Sequence, residues 1–119
     1  MPGLALTILY VDSPRASAAF YQQVLGAPPI EESDTFVMFK PQEGAGLGLW
    51  SRHTVEPAAT APGGCEVALI AADVDAVHTA WVALGWPIEQ APADMDFGRT
   101  FVARDPDGHR IRVFKPTPG

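Results

Sequence analysis

Two helix signatures recur along this chain at nearly constant separation. In the first, Asp12-Ser13-Pro14 sets a capping hydroxyl before a proline suited to the first helical turn, and Ala16, Ala19, Phe20 and Val24 follow at helical spacing up to Gly26. In the second, Asp73 caps a stripe of Val74, Val77, Trp81 and Leu84 that closes at Gly85. Ser13 to Asp73 spans 60 positions and Gly26 to Gly85 spans 59. A strand-like run leads into each helix. The run 4–11 (LALTILYV) is continuous enough to read as buried on both faces, and 66–71 (EVALIA) is its counterpart. Three short strand candidates follow each helix: 30–32, 35–40 and 47–50, then 87–90, 98–104 and 110–115. The expected architecture is α+β, a tandem of βαβββ modules over about 3–51 and 65–116, with 52–64 as a Pro- and Gly-rich linker. Neither module can bury both faces of its own sheet. The two must pair, within one chain or across a dimer.

At 119 residues the chain suits one domain, 1–119, holding both modules. Its hydrophobic share of 47% and charged share of 18% are those of an ordinary globular protein. A net charge of −6 argues against nucleic acid and anionic membrane as partners. Cys65 has no second thiol to pair with and is expected to be a small buried hydrophobe. No signal-peptide pattern or apolar run of membrane length occurs, so the expected location is the cytoplasm. No P-loop, dinucleotide fingerprint or serine relay is present.

The final hairpin carries the most chemical information. Asp105-Pro106-Asp107-Gly108 is a turn sequence between Thr100-Phe101-Val102-Ala103 and a strand in which Ile111 and Val113 alternate with Arg110, Arg112 and Phe114. Alternation puts the aliphatic side chains on one face and two guanidinium groups and a ring on the other. The second face is too polar for core and too aromatic for plain wet surface, and reads as a ligand-facing wall.

The repeat, the opening YVDSPRASAAFYQQVLG and the closing DPDGHRIRVF resemble the vicinal oxygen chelate superfamily, which holds glyoxalase I, extradiol dioxygenases, fosfomycin-resistance enzymes and bleomycin-resistance binding proteins. LWS at 49–51, FGRTF at 97–101 and DPDGH at 105–109 are similar to the phenazine-antibiotic resistance branch. The resemblance implies curved mixed sheets enclosing a cleft. Superfamily enzymes project His, Gln or Glu into that cleft to hold a divalent metal. Those positions fall here at or next to Leu6, at Glu66 and at Arg112. A leucine offers no lone pair and an arginine repels a cation, so one carboxylate remains where catalytic zinc takes three protein ligands. His53, His78 and His109 show no ligand spacing. The expectation is no metal and no cofactor.

The candidate ligand residues are Trp50, Arg112, Glu66, Phe97, Phe39, Met95 and Gly48. Arg112 and Glu66 either pair with each other or share an anionic ligand edge. Trp50 is read as facing the cleft beside Gly48, which leaves room for a flat ring, with core or dimer-interface packing as the alternative. Residues 94–99 (DMDFGR) are read as a lid carrying Met95 and Phe97, or else as a plain connecting loop. Of Met38 and Phe39 only one can face the cleft, and Phe39 is chosen. Trp81 and Tyr21 are assigned to helix packing. The expected function is sequestration of a planar aromatic antibiotic or metabolite by a metal-free homodimer with clefts at or near its interface. The alternative is a metal-dependent glyoxalase-like lyase or thiol transferase.

Overall fold

The computed structural model describes residues 5–40, 44–56, 58 and 65–117. The chain forms two compact units, residues 1–62 and 63–119. Residues 57 and 59–64 of the expected linker and the first residue of the 4–11 run lie outside the described residues.

In the first unit the order is β1 (Leu6–Val11), α1 (Pro14–Leu25), β2 (Glu31–Glu32), β3 (Phe36–Phe39) and β4 (Gly46–Ser51). The sheet runs β1-β4-β3-β2, with β1 parallel to β4 and the remaining pairs antiparallel. The crossover through α1 makes the parallel pair. Ser13 caps α1 by accepting from the Ala16 N–H, with Pro14 in the first turn. The helix packs against β3 and β4. Beneath it lie Leu9, Val11, Val37, Phe39, Leu47 and Leu49, all buried.

Two expectations about which faces of these elements are buried fail in this unit. The β1 run is buried on one face only: Leu9 and Val11 are inside, while Ile8 and Tyr10 remain 38% and 40% exposed. The strand sits at the sheet edge and the helix covers a single face. The buried stripe of α1 passes through Pro14, Ser17, Ala18, Phe20 and Tyr21, whereas Ala16 and Ala19 are exposed. A small serine in the stripe hid its true phase from a reading by hydrophobicity.

The second unit repeats the plan with β5 (Glu66–Ile70), α2 (Val74–Ala83), β6 (Ile88–Met95), β7 (Gly98–Arg104) and β8 (Arg110–Pro116). Its sheet runs β5-β8-β7-β6, again with one parallel pair, β5 and β8. Asp73 caps α2 through the Ala76 N–H. At the far end Gly85, at φ 78°, donates to the Val82 carbonyl while Trp86 donates to that of Trp81, a Schellman closure. Leu84 is therefore a cap residue and 52% exposed, outside the stripe of Val74, Val77 and Trp81. Phe101 anchors the core with edge-on contacts to Trp81 and His78. Cys65 is exposed rather than buried, because it precedes an edge strand.

The largest departure is β6. It continues through 91–95, so the expected lid at 94–99 is instead the tip of a β6–β7 hairpin, with Met95 opposite Gly98 and only Asp96 and Phe97 in the turn. Pro92 lies within this strand, where register shifts between Ile88 and Ala93 accommodate a residue that lacks an N–H. No helix among the described residues is long and apolar enough to cross a membrane.

Candidate functional site

The open face of the second sheet is built on β8. Ile111 and Val113 are buried beneath the helix, and Arg110, Arg112 and Phe114 project the other way. The turn before β8 holds that register. Asp105 Oδ1 accepts from the Asp107 and His109 N–H groups at 2.9 and 2.7 Å, and its Oδ2 meets His109 Nδ1 at 2.9 Å. Gly108 at φ 86° lets the chain reverse, and Arg104 then faces Arg110 across the hairpin.

Arg112 sits at the centre of this face. Its Nε donates to Glu66 Oε1 at 2.8 Å and its Nη1 to Thr100 Oγ1 at 3.3 Å. The Thr100 hydroxyl is buried and donates in turn to the Val113 carbonyl at 2.9 Å. The guanidinium carbon lies 5.7 Å from the centroid of the Phe97 ring, within cation–π range. Phe97 meets Phe114 edge-on at 6.2 Å. Gly98, behind Phe97, has φ 142°, and a Cβ there would lie 2.0 Å from the Lys115 carbonyl oxygen. The hairpin tip therefore packs directly on β8, and Thr117 N–H bonds the Phe97 carbonyl at 2.9 Å. Arg112, Glu66 and Phe97 thus come together as one cluster. Thr100 was missed, although alternation along β7 puts it on the face of Phe114, its register partner. Met95 is 43% exposed and stands opposite Gly98 on the strand next to the cluster.

Further along the face, Glu89 accepts from two arginines. Arg104 Nε and Nη2 reach it at 3.0 and 2.9 Å, and Arg110 Nε and Nη2 at 3.2 and 3.1 Å. Hydrogen bonding from Arg104 is the foremost cause holding the Glu89 carboxyl below its ordinary range. A depression of about 410 Å³ lies at this end, lined by Cys65, Glu66, Gly108 and Arg110. On the opposite side, Arg99 ties Asp75 and Asp94, and this pairing lowers the Asp75 pKa.

In the first unit, Trp50 lies on the sheet face away from α1, half-buried and edge-on to Phe36 at 5.9 Å. Gly48 shares that face, but it leaves no vacancy for a ligand ring. A Cβ at Gly48 would stand 2.9 Å from Leu6 Cδ1 and 3.0 Å from Phe36 Cζ, so these side chains occupy the space. Phe39 is a correction. It pairs with Leu47 and is 2% exposed under the helix, whereas Met38 pairs with Gly48 and shares the Trp50 face with Phe36. Strand parity fixed that only one of the two neighbours could be there; register decided which.

The residues at the superfamily's metal positions do not fit a metal. Leu6 packs over Gly48, and Arg112 brings a cation onto Glu66. Among the described residues no group of three or more His, Cys, Asp or Glu side chains is placed to hold an ion. The histidines stand apart: His53 on Asp12, His78 on Phe101 and His109 on Asp105.

The family model of the Glyoxalase/Bleomycin resistance protein/Dioxygenase superfamily matches residues 3–113, and the chain belongs to that superfamily. Among curated proteins it is 31% identical over 114 residues to the phenazine antibiotic resistance protein EhpR of Enterobacter agglomerans, covering 91% of this chain and 88% of that one. Among solved structures it is similar to an Agrobacterium tumefaciens protein determined by NMR, at 45% identity and TM-score 0.86 over 99% of this chain and 100% of the other. It is also similar to a lactoylglutathione lyase of the same organism, at 26% identity and TM-score 0.79 over 97% and 94%.

Proposed function

We propose that this chain sequesters a planar aromatic compound of phenazine type and so confers resistance to it, acting without a metal as a homodimer in the cytoplasm. One observation carries the reading: the Arg112 guanidinium, Phe97 and Phe114 form a contiguous cationic and aromatic platform that leaves Phe97 40% exposed. A flat heteroaromatic laid on such a platform gains on the order of 1 kcal/mol from stacking beyond the area it buries. The relationship to a phenazine antibiotic resistance protein supports the ligand class. The donor set at the metal positions supports binding over metal-assisted turnover, since sequestration needs only affinity and abundance. The half-exposed Ile8 and Tyr10 on the edge strand β1 support burial against a second copy.

Calorimetric titration with phenazine-1-carboxylate, followed in parallel by tryptophan emission, tests the reading. Wild type is expected to bind at micromolar ligand, and Phe97→Ala to weaken binding about tenfold, the equivalent of ~1.4 kcal/mol. Absence of heat and of quenching in the wild type would defeat it. Light scattering is expected to give twice the 12.7 kDa chain mass.

A further inference from the structure

Resting on that reading, we infer that the ligand is an aromatic acid whose carboxylate is recognised by the Arg104–Arg110 pair rather than by Arg112. Charge accounting along the open face of the second sheet leads there. Arg112 already has a carboxylate of its own, Glu66 at 2.8 Å, and presents its remaining surface to the Phe97 ring. Arg104 and Arg110, by contrast, share the single carboxylate of Glu89, each through Nε and Nη2. That trio carries one positive charge in excess, in a protein whose net charge is −6. Among the described residues no acceptor engages Nη1 of either guanidinium, and the two side chains are 49% and 56% exposed. Two like charges held on one carboxylate repel each other, and a second anion between them relieves that repulsion. A planar fork with free donors is the group best suited to receive it.

The spacing matches. Arg110, Arg112 and Phe114 follow one another at every second residue of β8, a step of roughly 7 Å. A ring resting against Arg112 and Phe97 therefore points a substituent about one step away toward Arg110. The depression lined by Cys65, Glu66, Gly108 and Arg110 opens at that end. Glu66 also borders it, but its charge is matched by Arg112. The face is graded: aromatic at the Phe114 end, neutralised in the middle, cationic at the Arg110 end.

The test compares phenazine-1-carboxylate with phenazine-1-carboxamide, which keeps the ring and removes the charge, by calorimetry on the full chain. Wild type is expected to prefer the acid about tenfold at low salt, with the preference shrinking at high salt because the arginines are half-exposed. Arg110→Gln is expected to bring the acid down to the affinity of the amide. Arg110→Lys, which keeps the charge, is expected to retain most of the preference and guards against misfolding, checked by far-UV circular dichroism. Equal wild-type affinity for acid and amide would overturn the inference while leaving aromatic binding intact. So would a preference that survives Arg110→Gln, or one that Arg112→Gln removes selectively. Failure of the wild type to bind either compound would defeat the functional reading and this inference with it.

Discussion

Replacing Asp105 by alanine is expected to unfold the second unit far more readily than its position in a turn suggests. The side chain of Asp105 is fully buried, and that of His109 is 2% exposed. Its two oxygens accept at 2.9, 2.7 and 2.9 Å from the Asp107 N–H, the His109 N–H and the His109 imidazole. Alanine would leave a buried backbone donor and a buried ring nitrogen without their acceptor. The Asp107 N–H, only half-buried, would turn to water. At ~1.5–3 kcal/mol for each of the two buried bonds to a charged acceptor, the loss comes to about 3–6 kcal/mol. Asparagine keeps one acceptor oxygen for the two backbone donors and disturbs mainly the imidazole, so it should cost about 1–2 kcal/mol. The assay is urea unfolding in a Trp50→Phe background, where emission comes only from Trp81 and Trp86 of the second unit. With a urea dependence of roughly 1.5 kcal/mol/M, Asp105→Ala should lower the midpoint by about 2–4 M. A shift under about 0.5 M for alanine, or an asparagine variant as damaged as alanine, would refute the assignment of stability to these bonds.

Three other substitutions probe the same unit. Gly98→Ala places a Cβ 2.0 Å from the Lys115 carbonyl oxygen at φ 142°, and should cost about 3 kcal/mol or more and weaken aromatic binding by shifting Phe97. Gly85→Ala meets nothing within 4 Å and should cost only about 1 kcal/mol from its left-handed backbone; similar urea midpoints for the two would contradict the close-approach argument. Glu89, held below its ordinary 4.5 foremost by hydrogen bonding from Arg104, is more acidic folded than unfolded. Its contribution is therefore present above the ordinary value and lost as pH falls through the folded one. Urea midpoints from about pH 6 down to about pH 3 should fall less steeply for Glu89→Gln than for wild type, and superimposable profiles would remove Glu89 from the acid response.

The repeat, the two N-caps and the two closing glycines were legible because each is a local device, written in side chains a few positions apart. The parity of β8 was equally legible: Ile111 and Val113 inward, Arg112 and Phe114 outward, as alternation requires. The superfamily followed from these features together with the end motifs. Other features depended on partners distant in the chain. The extent of β6 past Pro92 rests on a bulge against β7, which no local propensity encodes. Met38 rather than Phe39 on the Trp50 face depends on register against Gly48, and a shift of one residue would reverse it. The space at Gly48 went to Phe36 and Leu6, from strands that only the sheet brings together.

By itself, then, the chain's order of caps, strands and turns determined a doubled βαβββ plan and a wall of alternating arginine and aromatic residues, because short-range geometry suffices for both. The tertiary structure alone decided how charge is shared on that wall. Glu66 belongs to Arg112, and Glu89 is divided between Arg104 and Arg110, since each pairing joins residues 15 to 46 positions apart in sequence.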